Sequence, residues 1–378
     1  MKKLIVLFSA VAALAACSKN EVVPAVSGEN VEISYKVAPR TKADPQTFNT
    51  DNVFASWAYY LPSGKKWDAN RTEAKEYISN SKISFNDGVW KNKDISHYWP
   101  NGGNLTFFAY SLNSSSLTDK SGTDTHFTCE NYDNPETHVS QYGISGMLNL
   151  DTHPNTDFLV ADIAIDKNAH ENIYNFNGVP TLFKHKLSRV KFAVKKKSDY
   201  PGATITLNSI TFKNLVNGMT YTQYRKEEAK GLIPDYISDF GASRSTQEYM
   251  KTDFKVSSST SFDPVPDANE VRYIYIPQDF KNVTEEGKIA TIEVKYTVTD
   301  KEGISKTYTK TLKVKDIFDS WKIGKRYTFN LMFSLNEINW APAVGDWEDE
   351  IKNIDIVTGK PADSSTPANG ETTTDEQC

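Results

Sequence analysis

Segments in which apolar and polar residues alternate recur along this chain, whereas segments with the 3.6-residue period of a helix are almost absent. Residues 52–61 (NVFASWAYYL) place every second side chain, from Val53 to Leu61, on one apolar face. A strand with this pattern buries one face and leaves the other in water. Aromatic residues make up 12% of the chain, which favours strands further. The sequence therefore predicts an all-β fold built from antiparallel β-sandwiches.

Further strands are predicted by the same alternation. They lie at 82–85 and 89–90, on either side of the turn Asn86-Asp87-Gly88, and at 104–111, 158–165, 182–194, 203–215, 271–276, 292–298, 307–314 and 325–335. The polar stretch 112–157 is predicted to be one long loop, and residues 316–324 one helical turn. No fixed-period repeat is visible, which argues against solenoids and propellers.

The N-terminus has the parts of a bacterial lipoprotein signal. Two lysines precede an apolar run, residues 4–16, that is too short to span a bilayer as a helix. The residues that match a lipobox are Leu14, Ala15 and Ala16, followed by Cys17. We expect Cys17 to be lipidated, because the cysteine that follows a lipobox takes a diacylglyceryl group and its new amino terminus is acylated after cleavage. Several acyl chains anchor a protein more firmly than one. The alternative is an ordinary signal peptide followed by a chance cysteine.

Length and charge limit the domain organisation and the partners. Loss of the two signal lysines changes the formal charge from −5 to −7, and no basic stripe for nucleic acid is present. About 360 mature residues favour two domains. The predicted parts are a signal peptide at 1–16, a tether at 17–30, an N-terminal β-sandwich domain at 31–180, a C-terminal β-sandwich domain at 181–357 and a disordered tail at 358–378.

A search for catalytic and metal-binding motifs finds none. The sequence has no HExxH, CxxC, GxSxG, P-loop or GxGxxG motif. His126 and Cys129 are too few for a zinc site, and the acidic residues 130, 133 and 136 lack EF-hand spacing. We predict no enzymatic activity, no metal and no cofactor. Whether Cys129 pairs with Cys378 is left open.

A strand and a basic site follow the lipidated cysteine. Residues 31–37 (VEISYKV) alternate like a strand, and Ala38-Pro39-Arg40-Thr41-Lys42 follows directly. A lipid anchor, a strand and a protease-type arginine in this order indicate a surface subunit delivered as a precursor. The alternative for Arg40 is an ordinary solvent-facing loop residue.

Eight segments in a fixed order resemble the fimbrillin-like proteins of Bacteroidales, the lipoprotein pilins of type V fimbriae. They are residues 14–17 (LAAC), 38–41 (APRT), 53–59 (VFASWAY), 98–100 (YWP) before 105–110 (LTFFAY), 183–190 (FKHKLSRV), 321–329 (WKIGKRYTF) and 340–347 (WAPAVGDW). The resemblance covers most of the chain up to about residue 350.

The resemblance implies two transthyretin-like β-sandwich domains in tandem and a fimbrial subunit or surface adhesin at the outer membrane. It implies lipid anchoring through Cys17 and proteolytic loss of the first strand after Arg40, with Lys42 a second candidate. A donor strand from another subunit then fills the exposed groove. The implied partners are other fimbrial subunits, the outer membrane, and host or bacterial surface ligands.

The resemblance also implies that C-terminal strands serve as the donor, and the C-terminal end of this chain differs from that pattern. Residues 351–357 (IKNIDIV) offer a short alternating piece, and residues 361–378 are too polar to fill an apolar groove. This favours a subunit that receives a strand over one that donates it.

A second hypothesis is a carbohydrate-binding surface lipoprotein of a glycan-uptake system. The candidate sugar-stacking side chains are Trp67, Trp90, Trp99 and Trp347. A hydrolase would need carboxylates brought together in a cleft, which the sequence cannot place.

Overall fold

The computed structural model describes residues 31–38, 48–117, 127–133, 140–151, 154–169, 178–197, 202–223, 236–239, 244–257, 260–333, 338–346, 354–355 and 360–361. Among them, no helix is long and apolar enough to cross a membrane.

The described elements are almost all strands. The first thirteen are β1 (Tyr35–Ala38), β2 (Phe54–Leu61), β3 (Lys75–Asn86), β4 (Val89–Asn92), β5 (Asn104–Ser111), β6 (Phe127–Asp133), β7 (Ser140–Asn149), β8 (Leu159–Ala161), β9 (Ala164–Lys167), β10 (Val179–His185), β11 (Ser188–Lys196), β12 (Thr204–Val216) and β13 (Gly218–Thr222). The others are β14 (Tyr236–Asp239), β15 (Arg244–Met250), β16 (Phe254–Val256), β17 (Asp263–Pro264), β18 (Ile274–Tyr275), β19 (Gln278–Asp279), β20 (Thr291–Thr299), β21 (Ser305–Lys313), β22 (Ser320–Trp321), β23 (Lys325–Phe333), β24 (Ile338–Asp346), β25 (Ile354–Asp355) and β26 (Lys360–Pro361).

The helical elements are short. One four-residue helix, α1, spans Trp67–Asn70, and 3₁₀ turns lie at Arg71–Glu73, Asp267–Asn269, Glu286–Lys288 and Val314–Asp316. The prediction of an all-β chain is confirmed.

The first sheet closes on itself. Its order is β2-β3-β4-β1-β10-β8-β5-β9, and β5 also pairs with β2 along seven residue pairs. Its inner face holds one core, formed among others by Ile33, Phe54, Ile83, Phe107 and Val179. The strand period of two sends alternate side chains of each strand into this core.

A second core lies on the other face of β2 and β5, beneath a four-stranded sheet ordered β14-β13-β7-β6. Trp57 and Phe108 enter it from the first sheet, and Tyr221 and Ile276 enter it from much later in the chain. This core thus takes side chains from both sides of position 180. The domain boundaries drawn from the sequence stay predictions.

The third core lies between two five-stranded sheets. One contains β17, β11, β23 and β24 with β18, and the other contains β15, β12, β20 and β21 with β16. Phe192, Phe212 and Phe329 lie between these sheets, and Phe192 and Phe329 stack with centroids 4.8 Å apart. This arrangement is a β-sandwich.

Most neighbouring strands run antiparallel, but two pairs are parallel. β1 runs parallel to β10, and β11 runs parallel to β23. Each pair joins segments more than 130 residues apart, so no hairpin constrains their direction. These two parallel ladders differ from the prediction of antiparallel sheets.

Four local predictions were wrong. The predicted strand 158–165 is divided into β8 and β9, which both pair with β5. The stretch 112–157 contains β6 and β7, which pair with each other, and β7 also pairs with β13. The predicted strand 182–194 is divided at residues 186–187, with β10 in the first sheet and β11 in the sandwich. Residues 316–324 contain β22, which pairs with β19, where a helical turn was expected.

Phe158→Ala should lower the free energy of unfolding by about 3–5 kcal/mol. The Phe158 ring is fully buried, stacks on Phe127 at 4.2 Å between centroids and contacts the Tyr221 ring at 5.0 Å. Removing it leaves a cavity between segments that are distant in sequence. Chemical denaturation measures the change. The exposed Ile304→Ala variant is the control and should stay within about 0.5 kcal/mol of the parent.

Candidate functional site: the groove that holds the first strand

The segment 31–38 lies between two other parts of the first sheet. On one side Tyr35–Ala38 pair in parallel with residues 179–182. On the other side Tyr35 pairs with Trp90, and Glu32 forms an isolated bridge with Tyr98. This segment therefore joins β10 to β4 and completes the closed sheet.

Backbone hydrogen bonds hold the beginning of the segment. The Ile33 N–H donates to the His97 carbonyl at 2.7 Å, and the Trp99 N–H donates to the Val31 carbonyl at 3.0 Å. On the opposite edge the Val179 N–H donates to the Ser34 carbonyl at 2.7 Å. Loss of the segment would leave these donors and acceptors without a partner strand.

Tyr35 is the central side chain of the site. It is 4% exposed, and its ring meets Phe54 and Phe107 edge-on at 5.3 and 5.9 Å between centroids. Its hydroxyl donates to Ser56 Oγ at 3.0 Å, and Ser56 is fully buried. Burial raises the pKa of Tyr35 well above its usual value, so the hydroxyl stays protonated and remains a donor at neutral pH.

Glu32 occupies the rim of the groove. Its Oε2 lies 3.5 Å from Lys91 Nζ, and its Oε1 accepts a hydrogen bond from Ser96 Oγ at 2.8 Å. Both members of the ion pair are partly exposed, so the pair contributes at most about 1 kcal/mol.

Gly178 brings the backbone of β10 close to the first strand. Its φ is +106°, and a Cβ at this position would lie 2.7 Å from the carbonyl carbon of Tyr35. Only glycine combines this φ with so close an approach.

A polar cluster supports the edge of the groove near β4. Asn92 Nδ2 donates to Ser81 Oγ at 2.6 Å, and His97 Nε2 lies 3.1 Å from the same oxygen. Burial lowers the pKa of His97, which keeps the ring neutral at pH 7. The cluster thus holds the residue whose carbonyl accepts the bond from Ile33.

The predicted processing and lipidation residues lie outside the described residues. They are Leu14, Ala15, Ala16, Cys17, Arg40 and Lys42. β1 ends at Ala38, two positions before Arg40. These assignments therefore stay predictions.

The aromatic residues proposed for sugar stacking are mostly buried. Trp67, Trp90 and Trp99 are 2%, 7% and 4% exposed, and Trp347 lies outside the described residues. The three described rings lie in the first two cores, where they cannot offer a face to a sugar. The glycan-binding alternative is not favoured.

The remaining candidate ligands do not converge. In the described part of the chain, no three histidine, cysteine or acidic side chains are placed to hold a metal ion. Glu130 accepts a hydrogen bond from Thr128 Oγ1 at 2.6 Å, while His126 and Glu136 lie outside the described residues. The Cys129 thiol is buried, which raises its pKa, and Cys378 is not described, so their pairing stays untested.

The sequence predicted a strand at 31–37 but not the strands with which it pairs. The alternation shows that Ile33 and Tyr35 share one face. It carries no information on the hydroxyl partner of Tyr35, which lies 21 residues away.

Comparison with solved structures finds matches among fimbrial proteins. A fimbrial protein from Bacteroides vulgatus is 18% identical, with 84% of this chain and 100% of that chain covered and a TM-score of 0.60. A fimbrial assembly protein from Parabacteroides distasonis is 9% identical, with 84% and 98% covered and a TM-score of 0.36. The tip fimbrial protein Mfa3 from Porphyromonas gingivalis, with a C-terminal truncation, is 8% identical, with 84% and 98% covered and a TM-score of 0.33.

Comparison of the sequence with curated proteins finds no match. The first structural similarity shows a shared fold. A family model described as fimbrillin-like matches residues 41–347. Since this match spans most of the chain, the protein belongs to the fimbrillin-like family.

Proposed function

We propose that this chain is a subunit of a surface fimbria, exported as an outer-membrane lipoprotein and assembled by strand exchange in the groove that β1 occupies. The observation that carries the proposal is the position of β1. It closes the first sheet between β10 and β4 although it precedes all other strands in the chain. The family match supports a structural role in fimbriae over an enzymatic one.

Removal of β1 would expose unpaired backbone groups and apolar side chains. Residues 179–182 would lose their ladder partner, and the buried Trp90 and Val179 would be uncovered. Unpaired strand edges beside apolar side chains bind extended peptides readily. Main-chain hydrogen bonds supply affinity in such strand addition, and alternate side chains supply specificity.

The position of Arg40 favours processing directly after β1. Ala38 is the last residue of the strand, and the family match begins at residue 41. Cleavage after Arg40 would place the strand and the matched region on separate chains. Lys42 is the second candidate if the protease accepts lysine.

The same cleavage would also release the subunit from its anchor. Thirteen residues separate Cys17 from Val31, which is a reach of about 45 Å when fully extended. Lipid on Cys17 would thus hold the precursor at the outer membrane while the sheets form. A cut after Arg40 would free the subunit and open the groove in one step.

Assembly with other fimbrial subunits follows from this proposal. The groove receives a strand, whereas residues 351–357 offer a short donor and residues 361–378 are polar. The subunit is therefore better suited to receive a strand than to donate one. Ligands on host or bacterial surfaces would be bound by the assembled fimbria.

Arg40→Ala should abolish strand release and assembly. An arginine-specific protease cuts the parent after Arg40, so the mature N-terminus becomes Thr41, and filaments or SDS-resistant ladders appear when donor subunits of the fimbria are present. The variant keeps β1 covalently attached and stays monomeric. N-terminal sequencing and electron microscopy before and after protease treatment measure both effects.

Lys42→Ala is the matched control and should be processed like the parent. Filaments formed by the Arg40→Ala variant after treatment, with residues 31–38 still attached, would contradict the strand-release step. A mature parent that retains Cys17 would contradict processing while leaving lipidation intact.

Cys17→Ser should remove lipid from the chain. Without the thiol no diacylglyceryl group can be attached, so incorporation of labelled palmitate and recovery in the outer-membrane fraction should both be lost. Cys129→Ser is the control, because Cys129 is buried in the second core and should leave both unchanged. Palmitate labelling of the Cys17→Ser variant would argue against the lipid anchor.

Gly178→Ala should loosen β1 and accelerate its release. The added Cβ meets the Tyr35 backbone at 2.7 Å, in addition to the cost of about 1–3 kcal/mol for a side chain at this φ. Hydrogen exchange at the amides of residues 33–37 measures the loosening. Gly303→Ala is the control for backbone strain, since its φ is +84° but its Cβ would meet nothing within 4 Å. Equal exchange in both variants would contradict the close-approach argument.

A further inference from the structure

We infer that the groove selects a donor strand with a tyrosine at the position of Tyr35 and an acidic residue three positions earlier. The partner is then a different fimbrial subunit whose donor strand carries the pattern acidic–apolar–any–tyrosine. This inference rests on the strand exchange proposed above and concerns which strand is accepted.

The floor of the groove favours a donor strand whose side chain carries a hydroxyl group. Ser56 is fully buried, and its Oγ accepts the hydrogen bond of Tyr35. A strand that presents phenylalanine would leave this oxygen buried without that donor, and an unsatisfied buried polar group weakens binding. Serine or threonine cannot reach it, because the tyrosine ring spans the space between the strand and Ser56.

The walls of the pocket demand an aromatic ring. Phe54 and Phe107 contact Tyr35 edge-on from two neighbouring strands, β2 and β5. Edge-to-face contacts of this kind add to the gain from burial alone. A smaller side chain would leave a cavity lined by these rings.

The rim demands a negative charge. Lys91 and Ser96 both contact the Glu32 carboxylate. After release of the segment, the ammonium and the hydroxyl would face the incoming strand. Charge complementarity at such a rim selects partners and fixes register.

The C-terminal part of this chain does not carry the pattern. From residue 334 to Cys378 the sequence contains no tyrosine, and residues 351–357 read IKNIDIV. Residues 334–378 of a second copy therefore do not match the groove, and the proposed partner is a different subunit.

Competition on the full mature chain tests the selectivity. A site for a sequence-specific protease is inserted between Arg40 and Thr41, and cleavage leaves β1 held only by non-covalent contacts. A fluorescent peptide with the sequence of residues 30–38 (NVEISYKVA) then exchanges with β1. Unlabelled peptides with Tyr35→Phe, Tyr35→Ala or Glu32→Gln compete for the groove, and fluorescence anisotropy measures their inhibition constants.

We expect the Tyr35→Phe peptide to compete about tenfold less well than the parent peptide. The Tyr35→Ala peptide should compete at least about a hundredfold less well. On the Ser56→Ala chain the inhibition constants of the tyrosine and phenylalanine peptides should become nearly equal. The Glu32→Gln peptide should compete several-fold less well at low salt, and its deficit should shrink at high salt and on the Lys91→Gln chain.

Equal competition by the tyrosine and phenylalanine peptides on the unsubstituted chain overturns the hydroxyl requirement, whether or not the Ser56→Ala chain folds. An unchanged ratio of the two inhibition constants on the Ser56→Ala chain also overturns it. Failure of every peptide to exchange overturns both this inference and the strand exchange on which it rests. Exchange without selectivity overturns the inference alone.

Discussion

The closed first sheet depends on one short strand held by non-covalent contacts. Tyr35 is the centre of these contacts, because its ring packs on two strands and its hydroxyl reaches a third side chain on the floor. The floor is built by β2 and β5, whose opposite faces belong to the second core. Trp57 and Phe108 pack in the second core on the opposite face of these strands. The groove should therefore keep its shape if β1 is removed.

Local sequence signals predicted several elements correctly. The predicted strand 104–111 coincides with β5, and the turn Asn86-Asp87-Gly88 joins β3 to β4. Asp87 and Gly88 have φ values of +52° and +84°, as the tight hairpin requires. In these cases the contacts that determine the element lie within a few residues of one another. The alternation of apolar residues and the choice of turn residues were therefore sufficient to predict it.

The wrong predictions concern elements whose stabilising contacts come from residues far away in the sequence. β6 and β7 are polar and rich in serine, threonine and glycine, and β7 gains its second neighbour from β13, about 70 residues later. The division between β10 and β11 could not be predicted from the sequence either. The apolar pattern continues through the buried Leu187, although the chain passes from one sheet to another there. For the site, the sequence predicted the strand and its inward face. It could not predict the contact between Tyr35 and Ser56, which depends on the parallel register with β10.

The edges of the sheets show where a foreign strand can and cannot be added. β21 pairs with β20 on one side, and its exposed residues include Lys306, Lys310 and Lys313. Lysines along an edge oppose the approach of another strand, because pairing would bury their charges. The groove of β1 has the opposite character, because its walls are aromatic and the rim lysine, Lys91, pairs with a carboxylate of the strand that occupies the groove. In the proposed assembly, strand addition would be directed to the groove that processing would open, and an intact precursor, in which β1 fills that groove, would not present it.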